Sequence, residues 1–317
     1  MTEQVGRAGH IAVLVNPVSG HGVGADSGQV AIKRLWARGA DVRVYQGVSE
    51  EETAALGRRA VDEGPDVLVV VGGDGTISSV LAPVLESGIP LAVIPGGTGN
   101  DLAREHGIPL DDAAAAADVA LDGARRRVDT GTVTADDGTV RHFVTVLCAG
   151  LDSLTNERTN RMTWPTGTAR YKVAVYLEWL RLRKFGYRLH PAGAPALEQD
   201  GYMLAIGLTR YYGGGVPICP DADPADGLLD VTLVHAVGRF KVLAFDALIK
   251  AGEHVGRPDV TTLRAPVIRL ESPAGLVAYA DGEPAGSLPL TLATNRESLT
   301  LCVPHHPCSP PPLPLSA

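Results

Sequence analysis

The chain is poor in several features that would assign it to a common class. Only four of its 317 residues are cysteine, at positions 148, 219, 302 and 308, and no two stand in a C-x-x-C spacing. That argues against a zinc site or a redox dithiol. Cys148 lies in an apolar run and reads as a small core residue, and a reducing cytoplasm is the simplest compartment. No apolar stretch approaches the roughly 20 residues that a membrane-spanning helix needs. The first nine residues are polar and lack the apolar centre of a secretory signal. Positive charge is in deficit, with 28 Lys and Arg against 36 Asp and Glu and a net charge of −8. This balance argues against a general nucleic-acid binder, and against adsorption of the whole protein to an anionic membrane. Two nucleotide signatures are missing. Without G-x-x-x-x-G-K-[ST] the chain is no P-loop enzyme, and without G-x-G-x-x-G opening the first helix a dinucleotide site has no support. No internal repeat is present.

What the chain does have is a strand that runs straight into glycines and an acid, twice. Val69-Val70-Val71 leads into Gly72-Gly73-Asp74-Gly75-Thr76, and Leu91-Ala92-Val93-Ile94 into Gly96-Gly97-Thr98-Gly99-Asn100-Asp101. β-Branched apolar runs read as buried strands. Glycines let backbone N–H groups approach a bound group and point at it. A helix after each turn offers an anion-friendly N-terminus. Two such turns, each with an acid, suggest a nucleoside triphosphate with Mg²⁺ and thus phosphoryl transfer.

Around these turns, residues 10–130 alternate strands and helices. Strands are expected over 10–15, 41–45, 67–71 and 91–94, and helices over 26–38, 50–63, 77–86 and 111–121. Ser49 with Glu52 makes a capping box, and Pro83 should kink the third helix. This rhythm predicts a parallel α/β sheet with helices on both faces and ligands beyond the carboxyl ends of the strands. From 131 to 303 the pattern turns mostly β, with strands over 139–147, 201–209, 229–234, 267–271, 276–280 and 298–303. Two helical stretches, 169–184 and 240–251, interrupt it. Residues 304–317 are proline-dominated and read as disordered.

The motifs together resemble one family. Asn16-Pro-Val-Ser-Gly20, Gly72–Thr76, Gly96–Arg104, Val128-Asp129, Gly150-Leu-Asp152, Asp226-Gly-Leu-Leu-Asp230 and Asp281-Gly-Glu283 occur in the order found in bacterial diacylglycerol kinase-like lipid kinases. Those are relatives of sphingosine and ceramide kinases. The resemblance covers residues 16–283. It implies an N-terminal domain like that of NAD kinases and diacylglycerol kinases, a C-terminal β-sandwich, and ATP and Mg²⁺ as cofactors. Asn16, Ser19, Gly72, Gly73, Gly75 and Thr76 would line the nucleotide, with Gly97, Thr98, Gly99, Asn100 and Asp101. Asp74 would hold Mg²⁺ or its waters, although an Asp beside a helix start is also an ordinary cap. Asp101 reads equally as a cap. The basic residue often found after the first loop is His21 here, so the group that neutralises phosphate charge at that point stays open.

The resemblance also makes Glu283 the general base for a lipid hydroxyl, supported by Asp129. In a variant of this scheme Asp74 is the base and Glu283 orients it. Asp152 would contact the lipid head. Asp223, Asp226 and the Leu228 carbonyl would hold a structural Mg²⁺, whereas turn capping explains the same acids almost as well. Residues 158–188 carry eight basic side chains against Glu178 alone, with Trp164, Tyr171, Tyr176, Trp179, Phe185 and Tyr187 interspersed. That mixture suits the headgroup level of a membrane, or a helix packed on the β domain with a solvated basic face. The expected partners are a lipid substrate and a membrane surface, with no nucleic acid, and the expected place is the cytoplasmic side of the membrane. Oligomeric state stays open, homodimers being frequent among related enzymes. The rival readings are an NAD kinase-like enzyme and a non-catalytic lipid- or nucleotide-binding regulator.

Overall fold

In a computed structural model of the chain, residues 10–165, 168–236, 238–273 and 275–305 are described. They form two compact units. One runs to Arg127 and takes the chain back at Leu299, and the other is Val128–Ser298.

The first unit holds strands β1 (Ile11–Val15), β2 (Val42–Gln46), β3 (Val67–Gly72) and β4 (Leu91–Pro95). Its helices are α1 (Val23–Ala37), α2 (Glu50–Asp62), α3 (Asp74–Ser87), α4 (Asp101–Glu105) and α5 (Ala113–Asp122). The strands are parallel, in the order β2-β1-β3-β4. β1, β3 and β4 are buried along their whole length, as continuous apolar runs in a covered parallel sheet must be. α1 packs on α5 and α2 on α3. The alanines of α5 allow the close approach, burying Ala116, Ala117 and Ala120, and Arg34 of α1 and Arg38, its C-cap, bind Asp118. Ser49 caps α2 through the Glu52 N–H, and Asp112, not Asp111, caps α5. α3 begins at Asp74 rather than Ile77, so the first glycine turn is itself the helix start.

The second unit contains β5 (Ala124–Ala135), which enters it from the first, then β6 (Val140–Phe143), β7 (Val146–Gly150), α6 (Leu151–Arg161) and α7 (Thr168–Arg181). It continues with β8 (Phe185–Pro191), β9 (Leu197–Gly207), β10 (Tyr211–Tyr212), β11 (Val216–Pro217), β12 (Leu229–His235) and α8 (Arg239–Ala251). It ends with β13 (Val260–Ala265), β14 (Val267–Glu271), β15 (Val277–Ala280), β16 (Glu283–Ser287) and β17 (Leu290–Val303). β9 is the hub. Its first part pairs with β8, and its second lies between β7 and β12, all antiparallel. Alternation along these strands feeds two cores. Leu204 and Ile206 of β9, Leu147 of β7 and Val231 of β12 enter one. Met203 and Ala205, with Val146 and Val234, enter the other, which Phe245 and Ile249 of α8 cover.

The end of β17 departs from expectation. Residues 298–303 were expected in the second domain, yet Leu301 pairs in parallel with Leu91 of β4. Leu299, Leu301 and Cys302 are buried there, since an apolar run at the edge of a covered sheet has nowhere better to go. Among the described residues no helix is long and apolar enough to cross a membrane. The proline-rich tail lies, from residue 306 on, outside the described residues.

Candidate active site

Three loops at the carboxyl ends of β1, β3 and β4 are pressed together in the first unit, and glycine is what permits it. A Cβ on Gly97 would press on the Cα of Gly73, one on Gly20 on the Gly96 carbonyl, and one on Gly24 on the Asn16 carbonyl. The Gly96 N–H donates to the Gly72 carbonyl at 3.0 Å. Asn16 ties the first loop to the second, its Nδ2 donating to Thr76 Oγ1 at 3.1 Å and its backbone N–H to the Val71 carbonyl at 3.1 Å. Ser19 follows in the same loop, its N–H on the Asn16 carbonyl at 3.2 Å.

The third loop braces itself. Asn100 adopts φ 55° and closes a ring with Gly97. Its Oδ1 accepts the Gly97 N–H at 2.9 Å and its Nδ2 donates to the Gly97 carbonyl at 3.0 Å. This side chain therefore shapes the loop, and Thr98 is the exposed residue at its tip. Asp74 joins the loops. Its two carboxylate oxygens accept the N–H groups of Asp101 and Leu102 at 3.0 and 3.2 Å, so Asp74, at the start of α3, also caps α4. Burial raises its carboxyl above the ordinary value, and the amide bonds oppose that. Asp101 itself is buried at the first position of α4.

These features fit a phosphate chain. The N-cap of α3 is Gly73, which makes no side-chain cap bond, and Gly75 lies within the first turn. A fourteen-residue helix then directs its N-terminal dipole at the glycine surface. Asp74 is the carboxylate at this glycine surface, the hard oxygen donor that suits Mg²⁺ or a water bound to it.

In the second unit Asp129, on β5, is buried and its oxygens accept the N–H groups of Gly227 and Glu297, both at 2.7 Å. Its own N–H donates to the Pro224 carbonyl at 2.7 Å. It thus braces the 224–227 loop. In that loop Asp223 accepts the Ala225 N–H at 3.1 Å and Asp226 the Leu228 N–H at 2.9 Å. The other Asp226 oxygen pairs with Arg264, which also binds Asp230. Burial pushes Asp230 up to about 6 against the pull of Arg264. Among the described residues no group of three or more acids, histidines or cysteines gathers to hold a metal ion. The arrangement of Asp223 and Asp226 is that of turn caps and an ion pair, and it is the Leu228 amide that meets Asp226.

Glu283 opens β16 directly after a two-residue turn. Asp281 and Gly282 have φ 52° and 86°, the doubly left-handed turn that suits a tight hairpin. Asp281 is buried, and its carboxylate accepts the Val144 N–H at 3.0 Å, the Thr145 N–H at 2.8 Å and the Thr145 hydroxyl at 2.6 Å. The hairpin tip that carries Glu283 is therefore pinned to the junction of β6 and β7. This clamp by Asp281 has no counterpart among the roles expected from the sequence. The Asp-Gly pair between two strands was the available signal.

Asp152 lies on α6, just beyond Gly150. A Cβ at Gly150 would strike the Tyr187 hydroxyl and the Tyr202 carbonyl, so only glycine turns β7 into α6 here. The Tyr212 hydroxyl donates to Asp152 Oδ2 at 3.1 Å. Burial raises the Asp152 carboxyl to about 6, opposed by that bond. In the 158–188 segment, Arg158 pairs with Glu178, Arg161 with Glu157, Lys184 with Asp200 and Arg188 with Glu198. Trp164 and Tyr176 are exposed.

Residues 10–133 match the diacylglycerol kinase catalytic domain family, and residues 145–303 the YegS C-terminal NAD kinase beta sandwich-like domain. A diacylglycerol kinase of Mycobacterium tuberculosis is 41% identical over 298 residues, covering 94% of this chain and 96% of the relative. One from Bacillus subtilis is 25% identical over 291 residues, covering 87% and 90%. The crystal structure of a diacylglycerol kinase from Bacillus anthracis superposes with a TM-score of 0.69 at 20% identity, covering 93% of this chain and 97% of that one. This last likeness is one of fold.

Proposed function

The chain belongs to the bacterial diacylglycerol kinase family, and on that premise we propose that it is an ATP-dependent lipid kinase that phosphorylates a hydroxyl of diacylglycerol or a related lipid. The observation that carries the nucleotide half is the packing of three glycine loops around Asp74 at the N-terminus of α3. The first-turn N–H groups of α3 hold phosphate oxygens, and the loop glycines let backbone come close to them. Mg²⁺, when bound, neutralises phosphate charge, and Asp74 is the carboxylate that fits it. Glu283 accepts the proton of the acceptor hydroxyl as the oxygen bonds to the γ-phosphorus and ADP leaves with the bridging electrons. Such transfer needs positioning and charge neutralisation more than covalent help. Two capping bonds on Asp74 favour Glu283 as the base over the reverse assignment. The same reading has the enzyme work at the cytoplasmic face of a membrane, touching it through the 158–188 segment.

The test is γ-phosphate transfer from labelled Mg²⁺–ATP to a lipid extract in detergent micelles, with Glu283→Gln beside the intact enzyme. A labelled lipid from the intact enzyme, reduced at least about 100-fold in the variant, is the expected result. Transfer to NAD but to no lipid moves the reading to the NAD kinase-like rival. Nucleotide binding without transfer to either acceptor moves it to a binding protein.

A further inference from the structure

Tyr212 stands on a small hairpin of its own. β10 and β11 pair across Gly213-Gly214-Gly215, all three with positive φ. The Arg210 guanidinium lies 5.2 Å over the Tyr211 ring, next to it. The Tyr212 ring packs at the rim of the α8-covered core, together with Leu151 of α6 and Val216 of β11. Its hydroxyl donates to Asp152 Oδ2 at 3.1 Å. Among the described residues this hydroxyl is the hydrogen-bond partner of the Asp152 carboxylate. The Asp152 side chain is only partly covered, and its second oxygen is unspent. A half-buried carboxylate with one oxygen held and the other unspent, beside apolar side chains, suits the polar head of an amphiphile.

Resting on the lipid-kinase reading, we propose that Tyr212 is a positioning residue for the acceptor lipid: by donating to one oxygen of Asp152 it fixes the carboxylate so that the other oxygen accepts a hydrogen-bond donor on the lipid head. The donor is a hydroxyl or an ammonium, because an ionised carboxylate whose neighbour already donates to it offers only acceptors. The bond also keeps the carboxylate ionised, which that acceptor role requires. Two further titratable groups sense Asp152, Cys148 of β7 and Tyr187 of β8. Burial raises both, so they stay neutral where Asp152 titrates. The Tyr187 hydroxyl donates to the Ala149 carbonyl at 3.1 Å and leaves Asp152 to Tyr212.

The experiment is steady-state kinetics of Tyr212→Phe, Asp152→Asn and the double variant, with Mg²⁺–ATP and micelles of diacylglycerol or of a sphingoid base, from pH 5 to 8. Phenylalanine keeps the ring packing, and a urea midpoint checks the fold. Tyr212→Phe should raise the acceptor KM about tenfold, the size of one charge-assisted hydrogen bond, while the ATP KM stays within about twofold. Its kcat/KM profile should lose activity at a higher pH than the intact enzyme, because the opposing bond to Asp152 is gone and burial raises the carboxyl unchecked. Every other acid of the site is common to both enzymes, so only the part of the acid limb that moves belongs to Asp152. The double variant should lose no more than Asp152→Asn. An unmoved acceptor KM and acid limb, additive losses, or an equal rise in the ATP KM each overturns the assignment. An intact enzyme that phosphorylates neither lipid overturns the lipid-kinase reading, and this inference with it. An active enzyme with an indifferent Tyr212→Phe overturns this inference alone.

Discussion

The carboxylate of Asp281 accepts three hydrogen bonds from two consecutive residues, Val144 and Thr145, in a buried position two residues before Glu283. Replacing it with asparagine is a narrow probe. Asn tolerates the left-handed φ of 52° about as well as Asp, so the turn itself suffers no new strain. The amide, however, turns one acceptor into a donor, and that NH₂ then faces a backbone N–H with no water to intervene. The expected loss is about 1–3 kcal/mol, the cost of a buried unsatisfied group. A two-state urea titration of Asp281→Asn against the intact protein measures it. A midpoint unchanged within error would mean that the clamp is dispensable. This residue also shows what was legible locally. The Asp-Gly pair between two apolar runs announces a tight hairpin, but nothing in a linear sequence tells that Asp281 reaches a partner 136 residues away. Tyr212 was hidden in the same manner, because its partner Asp152 lies 60 residues upstream. Asp129 is likewise tied to distant partners, its oxygens accepting the backbone N–H groups of Gly227 and Glu297, 98 and 168 residues away.

Elements were legible wherever burial on both faces left an unbroken apolar run. β1, β3 and β4 are such runs, and each was expected within a residue or two of its observed bounds. β8 was missed although it alternates cleanly between buried and exposed positions, because its exposed half carries Arg188 and His190 and its length falls beside a basic helix. α6 was missed because its polar sequence has almost no apolar stripe. β5 starts with three arginines and becomes apolar only from Val128. The glycine turns were visible as motifs, yet their meaning as an element is the packing of one turn on another. Gly97→Ala tests that packing without a φ penalty, since Gly97 is absent from the positive-φ positions. The new methyl would press on the Gly73 backbone and come within 3.0 Å of Asn100 Oδ1. Overpacking of this kind costs about 1–3 kcal/mol. The urea midpoint should fall accordingly, and calorimetric ATP affinity should fall with it. Full stability together with full affinity would show that the loops have room to spare and that the close approach is not what holds phosphate.

At the scale of the whole molecule the charge is −8, so attraction to an anionic bilayer has to come from a local surface or not at all. The sequence points to residues 158–188, with their basic and aromatic side chains, as that surface. The structure spends four of the basic ones on ion pairs, with Glu178, Glu157, Asp200 and Glu198. What the segment leaves outward is an apolar face beside the exposed Arg181 and Arg183. Trp164 is 80% exposed and Tyr176 57%, and Val173, Tyr176 and Leu180 lie at spacings of three and four on one face of α7. Side chains of this kind favour the headgroup region through burial of apolar area, with the tryptophan and tyrosine rings at its polar edge. Two forces therefore make different forecasts for the proposed membrane contact. If the cations carry it, binding to anionic vesicles weakens steeply as salt rises, since exposed charges are screened over about 8 Å at physiological ionic strength. If the apolar face carries it, binding persists in high salt and extends to neutral vesicles. The pairing of four of the eight cations, beside an exposed apolar face, favours the second. Vesicle flotation with phosphatidylcholine alone and with added anionic lipid, at low and high salt, separates them. Trp164→Ala with Tyr176→Ala should abolish most of the flotation, whereas Arg181→Ala with Arg183→Ala should reduce only the salt-sensitive part. Loss of flotation in the arginine pair alone would return the contact to electrostatics. No flotation of the intact protein under any condition would remove the 158–188 segment from the membrane altogether.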